Sequence, residues 1–137
     1  EIGDGFAQSR LLGSQAHDEI IRAADGTLTR ASNRAGGIEG GTSNGQAIVV
    51  RAAFKPISTV PHALRTIDLA TGEDARALHQ RSDTCQVVPG AVIAEAEVAL
   101  VLARALSDHA GGNSLEECKR NLQAYCARIS ERLGLTQ

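Results

Sequence analysis

The 137 residues carry 14 Lys and Arg against 16 Asp and Glu, a formal net charge of −2, and include only three aromatic side chains, Phe6, Phe54 and Tyr125. So balanced a charge, with so few rings to stack bases, argues against nucleic-acid binding. The longest apolar run, Val92–Leu106, is interrupted by Glu95, Glu97 and Arg104 and falls short of the ~20 residues that span a bilayer, so no membrane partner is expected. Nothing in Glu1–Arg10 resembles a secretion signal, and a soluble chain is expected. Cys85, Cys118 and Cys126 form no CxxC pair and cannot all pair with one another, which suggests free thiols in a reducing cytoplasm. The chain contains no Met and opens on Glu1-Ile2-Gly3, so it is expected to be a piece of a longer protein. Its length suits one domain able to bury roughly two-thirds of its unfolded surface.

In chain order, residues 1–13 read as the last turns of a helix closing on Gly13. Glu19–Arg30 reads as a hairpin turning on Asp25-Gly26, a strong two-residue turn signal. The glycine-dense stretch Gly36–Gly45 is expected to be a loop. Gln46–Phe54 reads as a strand stopped by Lys55-Pro56, and Leu64–Leu69 and Ala75–His79 as weaker strands joined by Thr71-Gly72-Glu73. Ala91–His109 has a helical apolar stripe and ends on Gly111-Gly112. Ser114-Leu115-Glu116-Glu117 is a capping box for a second helix. That helix spaces Leu115, Cys118, Leu122, Tyr125, Ile129 and Leu133 as an inward stripe. The class predicted is α+β, with short antiparallel strands followed by two long C-terminal helices.

Three segments could carry chemistry. Glycines in Gly36–Gly45 let backbone N–H groups approach an anion, although neither the dinucleotide nor the P-loop fingerprint is met; a flexible surface loop is the plain alternative. Lys55-Pro56-Ile57-Ser58-Thr59 turns sharply at a strand end and presents a cation and two hydroxyls suited to a phosphate, or is an ordinary surface turn. Arg81 and Asp83, in Arg81-Ser82-Asp83-Thr84-Cys85, could supply a guanidinium for an anionic substrate and a carboxylate for proton transfer, or form a solvated pair. Cys85 is expected to be a small buried residue rather than a nucleophile. His17, His62, His79 and His109 show no metal-binding spacing. Glu97 is expected to face water, and Glu95 is left open.

In order and spacing, Arg30–Gly45, Val50–Thr59 and Arg81–Cys85 up to Glu95 resemble chorismate synthase, and the openings Glu1–Phe6 and Gly13–Glu19 do too. The resemblance covers nearly the whole chain and implies the C-terminal part of a bacterial-type, cytoplasmic enzyme more than twice this length. The family's fold would be a β-α-β sandwich assembled as a homotetramer. Its reaction would be the shikimate-pathway conversion of 5-enolpyruvylshikimate 3-phosphate to chorismate and phosphate by 1,4-anti elimination, requiring reduced FMN, in a flavoprotein associated with NADP.

Residue by residue, Gly40 matches a backbone flavin contact, and Lys55, Pro56, Ile57, Ser58 and Thr59 match the flavin-binding strand end. Arg81 matches an arginine at flavin and substrate, and Asp83 a carboxylate near flavin N5 that assists proton removal. Lys55 and Arg81, with Arg51 as a further candidate, would supply the fixed positive charge that the anionic ligands need. The four histidines do not match the family's catalytic pair, which belongs to the missing N-terminal half, so this piece alone is expected to be inactive. Two readings from other classes are open: an anion-binding module without catalysis, and an assembly domain built on the terminal helices.

Overall fold

The computed structural model describes residues 1–58, 60–80 and 84–133. They fall into two compact units, Glu1–Ala52 with Leu100–Gln137, and Ala53–Ala99.

In the first unit the chain opens with two single helical turns, α1 (Gly5–Gln8) and α2 (Gly13–Ala16). Gly13 therefore opens a turn instead of closing a long helix. The expected helix end is displaced because residues 1–3 are drawn into extended pairing: the Gly3 amide donates to Val49 O at 2.8 Å, the Arg51 amide to Glu1 O at 2.8 Å, and Ile2 bridges Val50. The same contacts account for most of what reads as a strand at Gln46–Phe54. It is an extended segment with one isolated bridge, not a ladder.

Strands β1 (Ile20–Arg22) and β2 (Leu28–Arg30) pair antiparallel with Ile20 opposite Arg30, as the Asp25-Gly26 signal predicts. The turn is longer than two residues: the Ala23 amide closes onto Thr27 O at 2.8 Å, and Gly26 takes φ +86°. The glycine-dense stretch departs more from expectation. It contains a second hairpin, β3 (Ile38–Glu39) with β4 (Thr42–Ser43), joined by Gly40 and Gly41 at φ +58° and +80°. Positive φ at both central residues is the type I′ turn, whose twist suits antiparallel strands. Permissive glycines here make a tight turn, not a floppy loop.

In the second unit β5 (Arg65–Ile67) and β6 (Asp74–Arg76) form a third antiparallel pair with Arg65 opposite Arg76. Helix α3 (Val87–Ala110) begins four residues ahead of the predicted Ala91 and stops at Gly111 and Gly112, both at positive φ. In the first unit, to which α3 belongs from Leu100 on, helix α4 (Leu115–Arg132) starts as its capping box predicts, the Ser114 hydroxyl accepting from the Glu117 amide at 3.2 Å. The His109 and Tyr125 rings meet edge-on with centroids 4.5 Å apart, and Asn121 Nδ2 donates to Ala110 O at 3.0 Å, so the end of α3 is fastened to the middle of α4. No helix among the described residues is long and apolar enough to cross a membrane.

Burial departs from the expectation of an ordinary domain. Among the described residues Ala16 is the only buried hydrophobic side chain and Asp18 the only buried charged one. Helix α3 leaves Val92, Ile93, Leu100 and Val101 each more than 60% exposed. On α4 only Cys118 and Leu122 of the expected inward stripe are half-buried, while Leu115 and Leu133 stay more than half exposed. Periodicity set the helices, but no described residue covers these faces. Cys85, expected inside, is exposed, as are Glu95 and Glu97, and all three cysteines are free.

Candidate functional site

Asp18 lies between α2 and β1 with its side chain turned inside the first unit, only 5% exposed. Its Oδ1 accepts from the Ser32 hydroxyl at 2.5 Å and the Arg34 amide at 2.9 Å, and its Oδ2 from the Ala35 amide at 2.9 Å. Burial pushes this carboxyl up, but the hydrogen bonds from Ser32, Ala35 and Arg34, with the Arg34 charge, outweigh it and hold the group below the ordinary aspartate range. In the sequence Asp18 falls only within the Gly13–Glu19 segment that resembles the family, with no role of its own. Its partners, 14 to 17 residues away, gave no local signal.

The anchored segment leads into the β3–β4 hairpin. Asn33 Oδ1 accepts from the Gly37 amide at 2.8 Å while its Nδ2 donates to Ala47 O at 2.9 Å, bracing the hairpin base from both sides. Gly36 and Gly3 lie back to back, so close that a Cβ on Gly36 would sit 2.3 Å from the Gly3 nitrogen. At the far end of the hairpin, Gly40 and Gly41 have open space where a side chain would be. Among the described residues their amides donate to no backbone or side-chain acceptor. Two adjacent unengaged N–H groups on a rigid turn suit an anion or a polar ring edge.

In the second unit Lys55, Pro56 and Ser58 are exposed and Ile57 is half-buried, on an extended segment outside any strand. The Lys55 ammonium has no ion pair or hydrogen bond among the described residues. The segment is located by Phe54, whose ring lies over Gly90 of α3: a Cβ there would meet Phe54 Cζ at 2.4 Å. Thr59, Arg81 and Asp83 lie outside the described residues. Gly40 belongs to one unit and Lys55–Ser58 to the other. Arg51 is committed elsewhere: its guanidinium pairs with Asp4 at 3.2 Å and donates to Gly3 O, so it fastens the start of the chain instead of offering a free cation. Among the described residues no three His, Cys, Asp or Glu side chains gather as metal ligands.

Taken separately, the bare amides at Gly40 and Gly41 and the Lys55 ammonium, unpaired among the described residues, each fit an anionic group such as a flavin phosphate. The family model described as chorismate synthase matches residues 1–107, a span containing Gly40, Lys55–Thr59, Arg81 and Asp83. The chain belongs to the chorismate synthase family.

Individual relatives agree. A chorismate synthase of Beutenbergia cavernae is 60% identical over 131 residues, covering 96% of this chain and 33% of that protein. One from Mycobacterium avium is 59% identical over 132 residues, again 33% of its length. A crystal structure of chorismate synthase superposes with TM-score 0.72 at 37% identity, covering 96% of this chain and 32% of that one. The chain thus spans about a third of the length of the chorismate synthases it matches. The predicted α+β class, with short antiparallel pairs before two long helices, holds.

Proposed function

We propose that these residues are the C-terminal part of a chorismate synthase and contribute flavin and substrate contacts to the enzyme that converts 5-enolpyruvylshikimate 3-phosphate to chorismate and phosphate. The family match across residues 1–107 carries this reading, because every residue singled out for the site falls within it. In the reaction the allylic C–O bond to phosphate breaks with its electron pair leaving on phosphate, and a C6 hydrogen leaves as a proton, so there is no net redox change. Reduced FMN, when bound, supplies electron density to the breaking C–O bond.

The chain's own residues bind, orient and move the proton. The Gly40 amide and Lys55, Pro56, Ile57, Ser58 and Thr59 would hold the flavin, the Lys55 ammonium supplying positive charge to offset its anionic form. Arg81 grips the anionic substrate through its forked donors. The Asp83 carboxylate accepts the C6 proton. The N-terminal portion of the longer chain supplies the catalytic histidines and the arginines for the substrate phosphate. The complete enzyme works as a cytoplasmic homotetramer.

The test uses a full-length chorismate synthase into which these 137 residues are spliced, assayed without oxygen with reduced FMN and 5-enolpyruvylshikimate 3-phosphate. Chorismate should form, and Asp83→Asn should lower kcat by about 100-fold or more. The 137-residue chain alone should give no turnover. Activity from the isolated chain, or an unaffected Asp83→Asn enzyme, would overturn the assignment.

A further inference from the structure

Asp18 and Arg30 take no part in the chemistry proposed above, yet between them they hold both ends of the segment that presents Gly40. Asp18 receives three hydrogen bonds from residues 32, 34 and 35, immediately before the hairpin. Arg30, at the end of β2, reaches in two directions: Nη1 donates to Asp18 O at 3.0 Å, and Nη2 pairs with Glu39 Oε2 at 2.7 Å. Glu39 is the last residue of β3, next to Gly40, and its Oε2 also accepts from Asn44 Nδ2 at 2.8 Å just beyond β4. One guanidinium therefore joins the buried carboxylate's own residue to β3, and through Glu39 to the residue just past β4, in a hairpin whose ladder is only two residue pairs long.

So short a ladder is marginal alone in water. Without outside support the Gly40-Gly41 turn would sample many orientations, and ordering it on binding would weaken affinity. The support is sheltered from solvent screening: the Arg30 side chain is 22% exposed and that of Glu39 33%.

We propose that Asp18, Arg30 and Glu39 are positioning residues that pre-organise the Gly40-Gly41 amides for the flavin. This rests on the function proposed above. Each acts through the hairpin and touches neither cofactor nor substrate, so losing the pair should raise the FMN concentration needed for activity while leaving turnover at saturation nearly intact.

The measurement is a double-mutant cycle in the spliced full-length enzyme: Arg30→Gln, Glu39→Gln and both together. Turnover is titrated with reduced FMN, and thermal midpoints are recorded alongside. Either single variant should raise half-saturating FMN about 10-fold, equivalent to about 1.4 kcal/mol, with kcat within about threefold. The double variant should lose no more than the worse single one, because both remove the same link. Glu39→Gln, at a partly exposed side chain, keeps the test alive if Arg30→Gln fails to fold. An unchanged FMN requirement with a lowered midpoint, or additive losses, would reduce the three residues to general stabilisers and overturn the inference. An unsubstituted enzyme that works without FMN would instead overturn the functional reading beneath it.

Discussion

Replacing Gly36 by alanine probes how rigidly the start of the chain is locked to the base of the hairpin. Gly36 has φ +64°, a region that costs an L side chain roughly 1–2 kcal/mol. Its Cβ would also lie 2.3 Å from the Gly3 nitrogen and 2.5 Å from the Gly3 Cα, where ordinary contact begins at 3.4 Å, so the two backbones must part by about 1 Å. That movement threatens the Gly3 amide bond to Val49 O at 2.8 Å and the Val49 amide bond to Gly36 O at 3.1 Å. Each contributes about 0.5–1.5 kcal/mol net. Strain and lost bonds together come to roughly 2–5 kcal/mol. Gly41→Ala is the matched control: φ is again positive at +80°, but nothing lies within 4 Å, so only the conformational cost applies. Urea unfolding of the spliced full-length enzyme should show the Gly36 variant shifted by about 1 M or more, given slopes of about 2 kcal/mol/M, and the Gly41 variant by clearly less. Equal shifts would show that Gly3 and Gly36 yield freely, and the account of a locked hairpin base would fail.

Three further outcomes follow from the same enzyme. Gly90→Ala should cost about 1–3 kcal/mol by driving its Cβ into the Phe54 ring, and Phe54→Leu in the same chain should recover part of the loss; no recovery would mean the ring is not the obstacle. Asp18 has its folded pKa depressed, so its stabilisation is complete above the ordinary aspartate pKa and is lost as pH falls through the lower folded value. Urea midpoints between pH 6 and pH 3 should therefore fall more steeply for the parent than for Asp18→Asn, and parallel profiles would contradict the linkage. Ser114→Ala removes the cap on α4 and should cost about 1 kcal/mol, measured as a thermal midpoint shift that Ser114→Asp largely restores.

How much of this could be read in advance depended on distance along the chain. The β1–β2 and β5–β6 hairpins, the Gly111 stop of α3 and the Ser114 start of α4 follow from residues within a few positions of one another, and all were legible. The Gly36–Gly45 stretch was misjudged because many glycines signal freedom, whereas two adjacent residues at positive φ also make the tightest hairpin turn. The Gly13 helix end failed because Gly3 pairs with Val49, nearly fifty residues away. At the candidate site, residue chemistry marked Gly36–Gly45 and Lys55–Thr59 as able to meet an anion, and only the family resemblance singled out Gly40 and tied both segments to a flavin. The hydrogen-bonded bracket of Asp18, Arg30 and Glu39 joins residues too far apart in sequence to leave a local signal.

The sequence by itself determined where the backbone turns, where helices begin and end, and through its motifs which family the chain belongs to. These are local properties, written in glycine dihedrals, capping hydroxyls and short-range spacing. Tertiary structure alone decided that Asp18 is the carboxylate taken out of water, that Arg51 is bound to the first residues, and that the apolar stripes of α3 and α4 stay uncovered among the described residues. Burial and pairing depend on which distant segments come to lie against a side chain, and no window of neighbouring residues contains that information.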